Sequence, residues 1–195
     1  MKTKILLDTD IGTDSDDAVC LAYLLLHPDC DLVGITTVGH DAQLRADLTR
    51  YLCRHFDRPD IPVVAGAERP FVPNPFACDH QVNQIGVTGA PPQPRPSQPR
   101  DAVEFMRTVI REAPGEVVLL TVGLLSNAAL LALSDPETSA QLKAVYSMGG
   151  RFLPPDQPPR PECNFMLDPA ATFAALDCEL PGHTIVPVNI TGGLA

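Results

Sequence analysis

Residues 8–17 concentrate carboxylate side chains near the amino terminus of the chain. Five of these ten residues are acidic, namely Asp8, Asp10, Asp14, Asp16 and Asp17. Carboxylates that are brought together repel one another, and a nearby cation relieves that repulsion. Calcium takes about six to eight oxygen ligands in loose geometry, whereas zinc prefers nitrogen and sulfur. The residue types therefore predict a Ca²⁺ site.

A purely structural role would explain only some of these acids. Ser15 is a favourable N-cap residue, and Asp16 and Asp17 would complement the positive end of the dipole of the helix that follows. That interpretation leaves the other three acids without a purpose. We therefore favour the functional interpretation of the whole turn.

The segments on both sides of the acids predict the elements that position them. Residues 5–7 are apolar and predict a short buried strand, while the apolar residues of 18–25 predict a buried helix. The acids thus occupy a strand-to-helix turn. In an open α/β sheet such a turn lies at the carboxyl end of a strand, where ligands bind.

The rest of the chain alternates between strand and helix patterns. Apolar and β-branched runs predict further strands at residues 32–38, 61–65, 116–122, 142–148 and 184–190. Helices are predicted at residues 44–56, at 101–113 with Asp101 as the cap, at 128–133, and after Asp168 as N-cap with Pro169 at the first helical position. This order predicts an α/β fold, with a mostly parallel open sheet, helices on both faces and three layers.

Two further segments lack this alternation. Residues 71–99 are rich in proline, above all in 91–99, and predict a long loop that is partly polyproline-like and contains no helix. A loop of this length in a compact domain is usually functional or mobile. Gly149 and Gly150 predict a tight turn, because no lysine or hydroxyl residue of a phosphate-binding loop follows them.

Composition limits the class of protein. A chain of 195 residues that is 45% hydrophobic predicts a single domain, residues 1–195, with a sizeable core. Its net charge of −10 argues against nucleic acid and against an anionic membrane as partners. The apolar run near the amino terminus is interrupted at Asp8, so neither a secretory signal nor a membrane span is expected.

The cysteines favour a reducing compartment. They show no paired close spacing and several lie in apolar patterns: Cys20, Cys30, Cys53, Cys78, Cys163 and Cys178. We interpret them as reduced core thiols of a cytoplasmic protein, and not as a disulfide or zinc framework.

The acidic turn resembles the amino-terminal signature of the inosine-uridine-preferring nucleoside hydrolase family. That signature is a strand, Asp-x-Asp, a short glycine-containing turn, and Asp-Asp-Ala opening a helix; here the turn has two extra residues. The resemblance implies that Asp10 and Asp17 are calcium ligands. It also implies that Asp10 is the base that activates a calcium-bound water, that Asp16 contacts a ribose hydroxyl, and that Asp8 is a supporting acid. Asp14 falls in the insertion and receives no role.

Two later segments resemble the family after predicted strands. The tract 38–41 corresponds to a family tract that ends in Gly-Asn, and the resemblance implies a ribose contact for Asp41. Asp41 is an equally good helix N-cap. The tract 123–127 resembles the family's Gly-Pro-Leu-Thr-Asn, which implies that the backbone carbonyl of Ser126 binds calcium. Ser126 or Asn127 could also cap the helix that follows, and the two roles are compatible.

The segment Glu162-Cys163-Asn164-Phe165 resembles the family's Glu-Phe-Asn, which precedes an Asp-Pro-x-Ala-Ala tract. The resemblance implies that Glu162 and Asn164 hold the ribose hydroxyls. His80 loosely resembles a histidine of the family's base-covering loop, and an ordinary loop position is the better interpretation.

The resemblance implies hydrolysis of the N-glycosidic bond of ribonucleosides to free base and ribose, through an oxocarbenium-like state. A nucleoside substrate, a role in nucleoside salvage and a homo-oligomer are expected with it. The match ends before the family's carboxyl-terminal part, which carries a calcium-binding Asp and a His near the base. We therefore expect weak calcium binding, and a truncated member that acts in binding without catalysis is the alternative.

A different enzyme class competes for the same residues. Asp8-Thr9-Asp10 after an apolar strand also resembles the nucleophile motif of haloacid-dehalogenase-type phosphatases, in which Asp8 would attack phosphorus with Mg²⁺ bound. The threonine expected two places after the second aspartate is Gly12, and no later lysine followed by an acidic pair is found. The nucleoside hydrolase interpretation is therefore favoured.

Overall fold

The structure is a computed structural model that describes residues 2–74, 82–89, 98–153, 158 and 160–192. Six strands are present in these ranges: β1 (Thr3–Thr9), β2 (Cys30–Thr37), β3 (Val63–Ala65), β4 (Val117–Thr121), β5 (Ala144–Met148) and β6 (Thr184–Val186). They form one sheet in the order β3-β2-β1-β4-β5-β6, and every neighbouring pair is parallel. The strand order reverses between β1 and β4, which makes this the switch point at which open α/β sheets bind ligands.

Helices connect the strands. Those of the described residues are α1 (Asp16–Leu26), α2 (Ala42–His55), α3 (Pro99–Glu112), α4 (Ser126–Ser134), α5 (Pro136–Ser139), α6 (Cys163–Leu167), α7 (Pro169–Asp177) and α8 (Val188–Thr191), with a 3₁₀ helix at Asn83–Thr88. None of them combines the length and the apolarity that crossing a bilayer requires.

The central strand explains why both faces of the sheet are covered. Successive side chains of a strand point to opposite faces, yet Leu6 and Leu7 of β1 are both fully buried. Leu7 belongs to a core with Leu21 of α1, whereas Leu6 belongs to a second core with Met106 of α3. A parallel sheet buried on both faces requires such helix layers. The predicted α/β fold class is thereby confirmed.

Several predicted boundaries are wrong. The last strand stops at Val186, because Pro187 lacks the N–H that would continue the ladder, and α8 follows it. Helix α3 begins at Pro99 with Gln98 as N-cap, so Asp101 lies in its first turn and is not the cap. The segment predicted to contain no helix includes the 3₁₀ helix Asn83–Thr88. Residues 90–97 and His80 lie outside the described residues.

The cysteine prediction holds only in part. Cys20, Cys30, Cys53, Cys163 and Cys178 are free thiols, while Cys78 lies outside the described residues. Cys30 and Cys53 are buried core thiols as predicted. Cys163 is exposed, because it occupies the first turn of α6 beside the cavity described below.

Candidate active site

The acidic turn connects β1 to α1 at the switch point of the sheet. Asp8 pairs with Thr36 of β2 on one side and with Thr121 of β4 on the other. The main chain after β4 packs closely on the turn, since a Cβ added to Gly123 would lie 2.7 Å from the backbone nitrogen of Asp10. It would also lie 2.9 Å from Oδ1 of Asp10. Only glycine fits at this junction.

A cavity of about 440 Å³ opens beside the turn. Five of the sequence-predicted site residues line it, namely Asp10, Asp16, Asp17, Glu162 and Asn164. An apolar wall faces them, formed by Leu120, Val122, Tyr146, Met148 and Val186. The fold thus brings together carboxylates from the start of the chain and polar residues some 150 positions later. The lining of this cavity does not include Asp8, Asp41 or Ser126.

Asp8 lies beneath the cavity and is fully buried. Its Oδ1 accepts hydrogen bonds from Thr36 Oγ1 at 2.6 Å and from Asn127 Nδ2 at 2.9 Å. Its Oδ2 is buried without a hydrogen-bond partner among the described residues. Burial raises the pKa of Asp8 to about 7, although both hydrogen bonds oppose the rise. This environment suits a supporting acid better than a residue that contacts a ligand.

Asp10 and Asp17 form the electrostatic centre of the turn. Thr9 Oγ1 donates a hydrogen bond to Asp17 Oδ1, and the backbone N–H of Ile11 donates to Thr9 Oγ1 at 3.2 Å. Burial raises the pKa of Asp17 well above its ordinary value, and the negative charge of Asp10 raises it further. Two carboxylates that destabilise each other's charged forms provide a favourable environment for a cation.

The donor chemistry fits calcium, but the set is incomplete. Oxygen is the only donor element that Asp10 and Asp17 offer, and oxygen is what calcium prefers. No group of three or more His, Cys, Asp or Glu side chains among the described residues is arranged to hold a metal ion. A calcium ion held here would therefore take its other ligands from carbonyl groups, water or substrate hydroxyls.

Ser126 and Asn127 begin α4, and neither caps it. Leu125 occupies the N-cap position and makes no side-chain cap hydrogen bond, so the predicted capping role is wrong. The Ser126 hydroxyl instead donates to Asp168 Oδ2 at 2.7 Å. Asn127 Nδ2 donates to Asp8 Oδ1 at 2.9 Å and to the Thr37 carbonyl at 3.1 Å. These partners are distant in sequence, so no local pattern indicates them.

Asp168 performs the capping role that the sequence predicted. Its Oδ1 accepts from the backbone N–H of Ala171 at 3.1 Å, and Pro169 occupies the first turn of α7. Its Oδ2 accepts from Ser126 and from the backbone N–H of Phe71 at 3.1 Å. One fully buried carboxylate thus joins α7, α4 and the segment after β3.

Glu162 and Asn164 are held rigidly at the cavity. Glu162 Oε1 accepts from the Asn164 N–H at 2.7 Å, which caps α6, and Oε2 accepts from the Gly150 N–H at 2.8 Å. Asn164 Nδ2 donates to the carbonyls of Val122 at 2.8 Å and of Met148 at 3.2 Å. This capping role was not predicted from the sequence, because glutamate is not a preferred N-cap residue.

Asp41 and Ser15 occupy N-cap positions without capping through their side chains. Asp41 precedes α2 with a φ of 58°, in the left-handed region, and its carboxylate lies 3.0 Å from Nδ1 of His40. Ser15 precedes α1 and likewise makes no side-chain cap hydrogen bond. Both residues thus occupy the N-cap positions that the capping interpretation predicts, but neither side chain makes the hydrogen bond that a cap would make.

Arg45 on α2 is a further residue of the site region that was not predicted from the sequence. Its side chain is buried, and it donates to main-chain carbonyls of the acidic turn and of the loop after β2. One signal was available: Arg45 falls at helical spacing from the buried residues Ala42, Leu48 and Thr49, on the face that packs inward. A charged residue on such a face is buried only when it is paired.

A parallel sheet in this strand order, with a crevice at its switch point and carboxylates in the lining of that crevice, is the arrangement in which open α/β proteins typically bind small polar ligands. The sequence model of the family described as inosine-uridine preferring nucleoside hydrolase matches residues 5–194. The chain therefore belongs to the inosine-uridine preferring nucleoside hydrolase family, as its motifs predicted.

Individual relatives agree with this assignment. Uridine nucleosidase 1 of Arabidopsis thaliana is 31% identical to this chain. The matched part covers 96% of this chain and 57% of that protein. The pyrimidine-specific ribonucleoside hydrolase RihA of Klebsiella pneumoniae is 31% identical over 93% of this chain, which covers 59% of it. A solved plant nucleoside hydrolase shares the fold with a TM-score of 0.79 at 24% identity, over 98% of this chain and 62% of that one. The chain spans about three fifths of the length of these relatives.

Proposed function

We propose that this chain hydrolyses the N-glycosidic bond of ribonucleosides to free base and ribose. One observation carries the proposal: Asp10, Asp16, Asp17, Glu162 and Asn164 line one cavity at the switch point of the sheet. The membership of the nucleoside hydrolase family and relatives named for nucleoside cleavage support it.

The lining of the cavity combines polar and apolar residues, which suit the two parts of a nucleoside. Asp16, Glu162 and Asn164, which line the cavity, bind the ribose hydroxyls. The ribose contact of Asp41 rests on the family resemblance alone, because Asp41 is not part of the lining. The apolar wall that includes Tyr146 packs against the flat face of the base. Holding the sugar in this way positions its anomeric carbon for attack.

Asp10 acts as the general base that takes a proton from the attacking water. Asp10, Asp17 and the backbone carbonyl of Ser126 are the groups that would hold calcium. When bound, calcium lowers the pKa of water and orients the ribose hydroxyls. Asp8 supports the turn from below through its bonds to Thr36 and Asn127.

One alternative remains and one is wrong. Among the described residues no group of three or more His, Cys, Asp or Glu side chains is arranged to hold a metal ion, and this favours a second candidate, a catalytically weakened member that binds ribose or nucleoside. The phosphatase interpretation is wrong, because the chain belongs to another family and Asp8 is fully buried with Oδ1 bonded to two donors.

The proposal is tested by measuring free base and ribose released from a panel of nucleosides, with calcium added and with calcium chelated. We expect calcium-dependent release that Asp10→Ala abolishes, and weak calcium binding in a titration. Ribose binding without any release would favour the second candidate. Release that persists in Asp10→Ala would overturn the role of Asp10.

We also propose that the protein acts in the cytoplasm as a homo-oligomer. Its free thiols support a reducing compartment. Val19, Tyr23 and Leu26 form an exposed apolar stripe on α1, with 65%, 63% and 68% of their surfaces accessible. Tyr23→Glu should shift the sedimentation profile towards monomer, whereas Phe173→Glu on α7 should not. A sedimentation profile of Tyr23→Glu equal to those of Phe173→Glu and the wild type would exclude α1 from the interface.

A further inference from the structure

The loops after β1 and β2 meet on one buried guanidinium group, that of Arg45. Only 1% of the residue's surface is exposed. Its Nε donates to the His40 carbonyl at 2.8 Å. Its Nη1 donates to the carbonyls of Asp10 and Ile11, at 3.1 Å for Ile11, and lies 3.3 Å from the Thr13 hydroxyl. The two nitrogens therefore fix two separate loops.

The chemistry of these contacts differs from that of an ordinary ion pair. The acceptors named above are main-chain carbonyls and a hydroxyl, so the hydrogen bonds determine backbone geometry. The charges of Asp10, Asp17 and Asp41 act on the guanidinium and oppose the lowering of its pKa that burial causes. A buried cation is retained only when hydrogen bonds and nearby charges compensate its desolvation.

Arginine is required for this geometry. Its planar fork presents several N–H groups in fixed directions, whereas a lysine ammonium is a single point charge on a flexible stem. A lysine at position 45 lacks the two nitrogens, Nε and Nη1, that donate to the two loops in fixed directions. Gly39 lies close to both groups, because an added Cβ there would be in ordinary van der Waals contact with Arg45 Nε at 4.0 Å and with Asp10 Cβ at 3.8 Å.

We propose that Arg45 is a positioning residue that fixes the main chain of Asp10 against the loop after β2 and so orients the Asp10 carboxylate for proton abstraction. This inference deepens the proposed hydrolase function and rests on it for its catalytic part. Its structural part, the immobilisation of the two loops, stands without substrate or calcium.

Amide hydrogen exchange tests the structural part directly. The variant is Arg45→Lys, and the matched control is Arg50→Lys on the same helix, where the arginine donates to Asp47 and to the Val63 carbonyl away from the turn. In calcium-free protein we expect exchange at Ile11 and Gly39 to rise about tenfold or more in Arg45→Lys, with Leu119 in β4 unchanged. Arg50→Lys should leave all three amides as in the wild type.

Steady-state kinetics test the catalytic part. If the positioning is correct, Arg45→Lys lowers kcat about tenfold or more with KM nearly unchanged, because ribose is bound by other residues. A purely structural residue would instead accelerate exchange throughout the sheet and lower the amount of folded enzyme without changing kcat per active site.

The outcomes separate the two proposals. Wild-type exchange rates at Ile11 and Gly39 in Arg45→Lys would overturn the inference, whether or not the chain is active. An inactive wild type with faster exchange in the variant would refute the hydrolase function while supporting the loop-fixing role. If Arg45→Lys fails to fold, Arg45→Met, whose side chain has a similar length, provides the same comparison. A uniform loss of amide protection throughout the sheet in both variants would overturn the inference.

Discussion

Removal of the Asn127 side chain provides a quantitative test of how the site is held together. Asn127 is fully buried, and its amide joins three segments: Asp8 of β1, the Thr37 carbonyl of β2, and the backbone N–H of Ala67 at 2.9 Å. In Asn127→Ala the Ala67 N–H loses this acceptor, and a buried unpaired donor costs about 1–3 kcal/mol. The Thr37 carbonyl keeps a bond from the Gly66 N–H at 2.9 Å.

Two further losses add to that cost. Asp8 Oδ1 loses one of its two donors, which is worth about 1 kcal/mol. The void left by the amide costs about another 1 kcal/mol, because a rigid core cannot collapse around it. We therefore expect Asn127→Ala to lower the free energy of unfolding by about 3–5 kcal/mol.

The assay is urea unfolding followed by far-ultraviolet circular dichroism, with the slope m compared between variants. Asn189→Ala is the matched control, because the exposed Asn189 side chain also hydrogen-bonds to main-chain groups. It accepts from the N–H of Phe152 at 2.8 Å and donates to the carbonyl of Phe152 at 2.9 Å. Water replaces those bonds, so about 0.5–1 kcal/mol or less is expected. Equal losses for the two variants would refute the idea that the buried amide joins the three segments energetically.

Two other predictions test the turn and the helix layer. Gly123→Ala should abolish calcium-dependent hydrolysis, because the added Cβ would lie 2.7 Å from the backbone nitrogen of Asp10. Gly86→Ala is the control and should leave activity unchanged, because a Cβ added at Gly86 meets no atom within 4 Å. An active Gly123→Ala enzyme would contradict the packing argument. A side-chain hydrogen bond from Thr138 lowers the pKa of Asp135 in the folded state. The ionised carboxylate therefore stabilises the fold fully above its unfolded-state pKa of about 3.9. This stabilisation is lost as the pH falls through the lower folded-state pKa. Asp135→Asn should flatten the acid limb of the stability profile measured by urea unfolding, and an unchanged limb would contradict this.

Local patterns predicted much of this protein correctly. The order of strands and helices followed from hydrophobic periodicity, and the cap at Asp168 followed from the residues beside it, because both depend on neighbours within a few positions. The acidic turn after β1 was recognised for the same reason, since its residues are adjacent in sequence.

Other predictions failed where partners lie far apart in the chain. Ser126 and Asn127 resemble helix caps, yet their partners are Asp168 and Asp8, which lie 42 and 119 positions away. Glu162 caps a helix although its residue type does not favour that role. Long-range hydrogen bonds of this kind outweigh local preference, and no spacing rule indicates them.

The sequence by itself determined which residues can do chemistry and which elements carry them, because residue type and periodicity are local properties. Only the tertiary structure decided that β1 and β4 lie side by side, since strand order depends on how helices cross between the two faces of the sheet. That adjacency brings Asp10 and Asp17 to the same cavity as Glu162 and Asn164. The pairing of β1 with β2 likewise decides which loops Arg45 contacts, because its helical spacing indicates a buried face but not the main-chain carbonyls to which it donates.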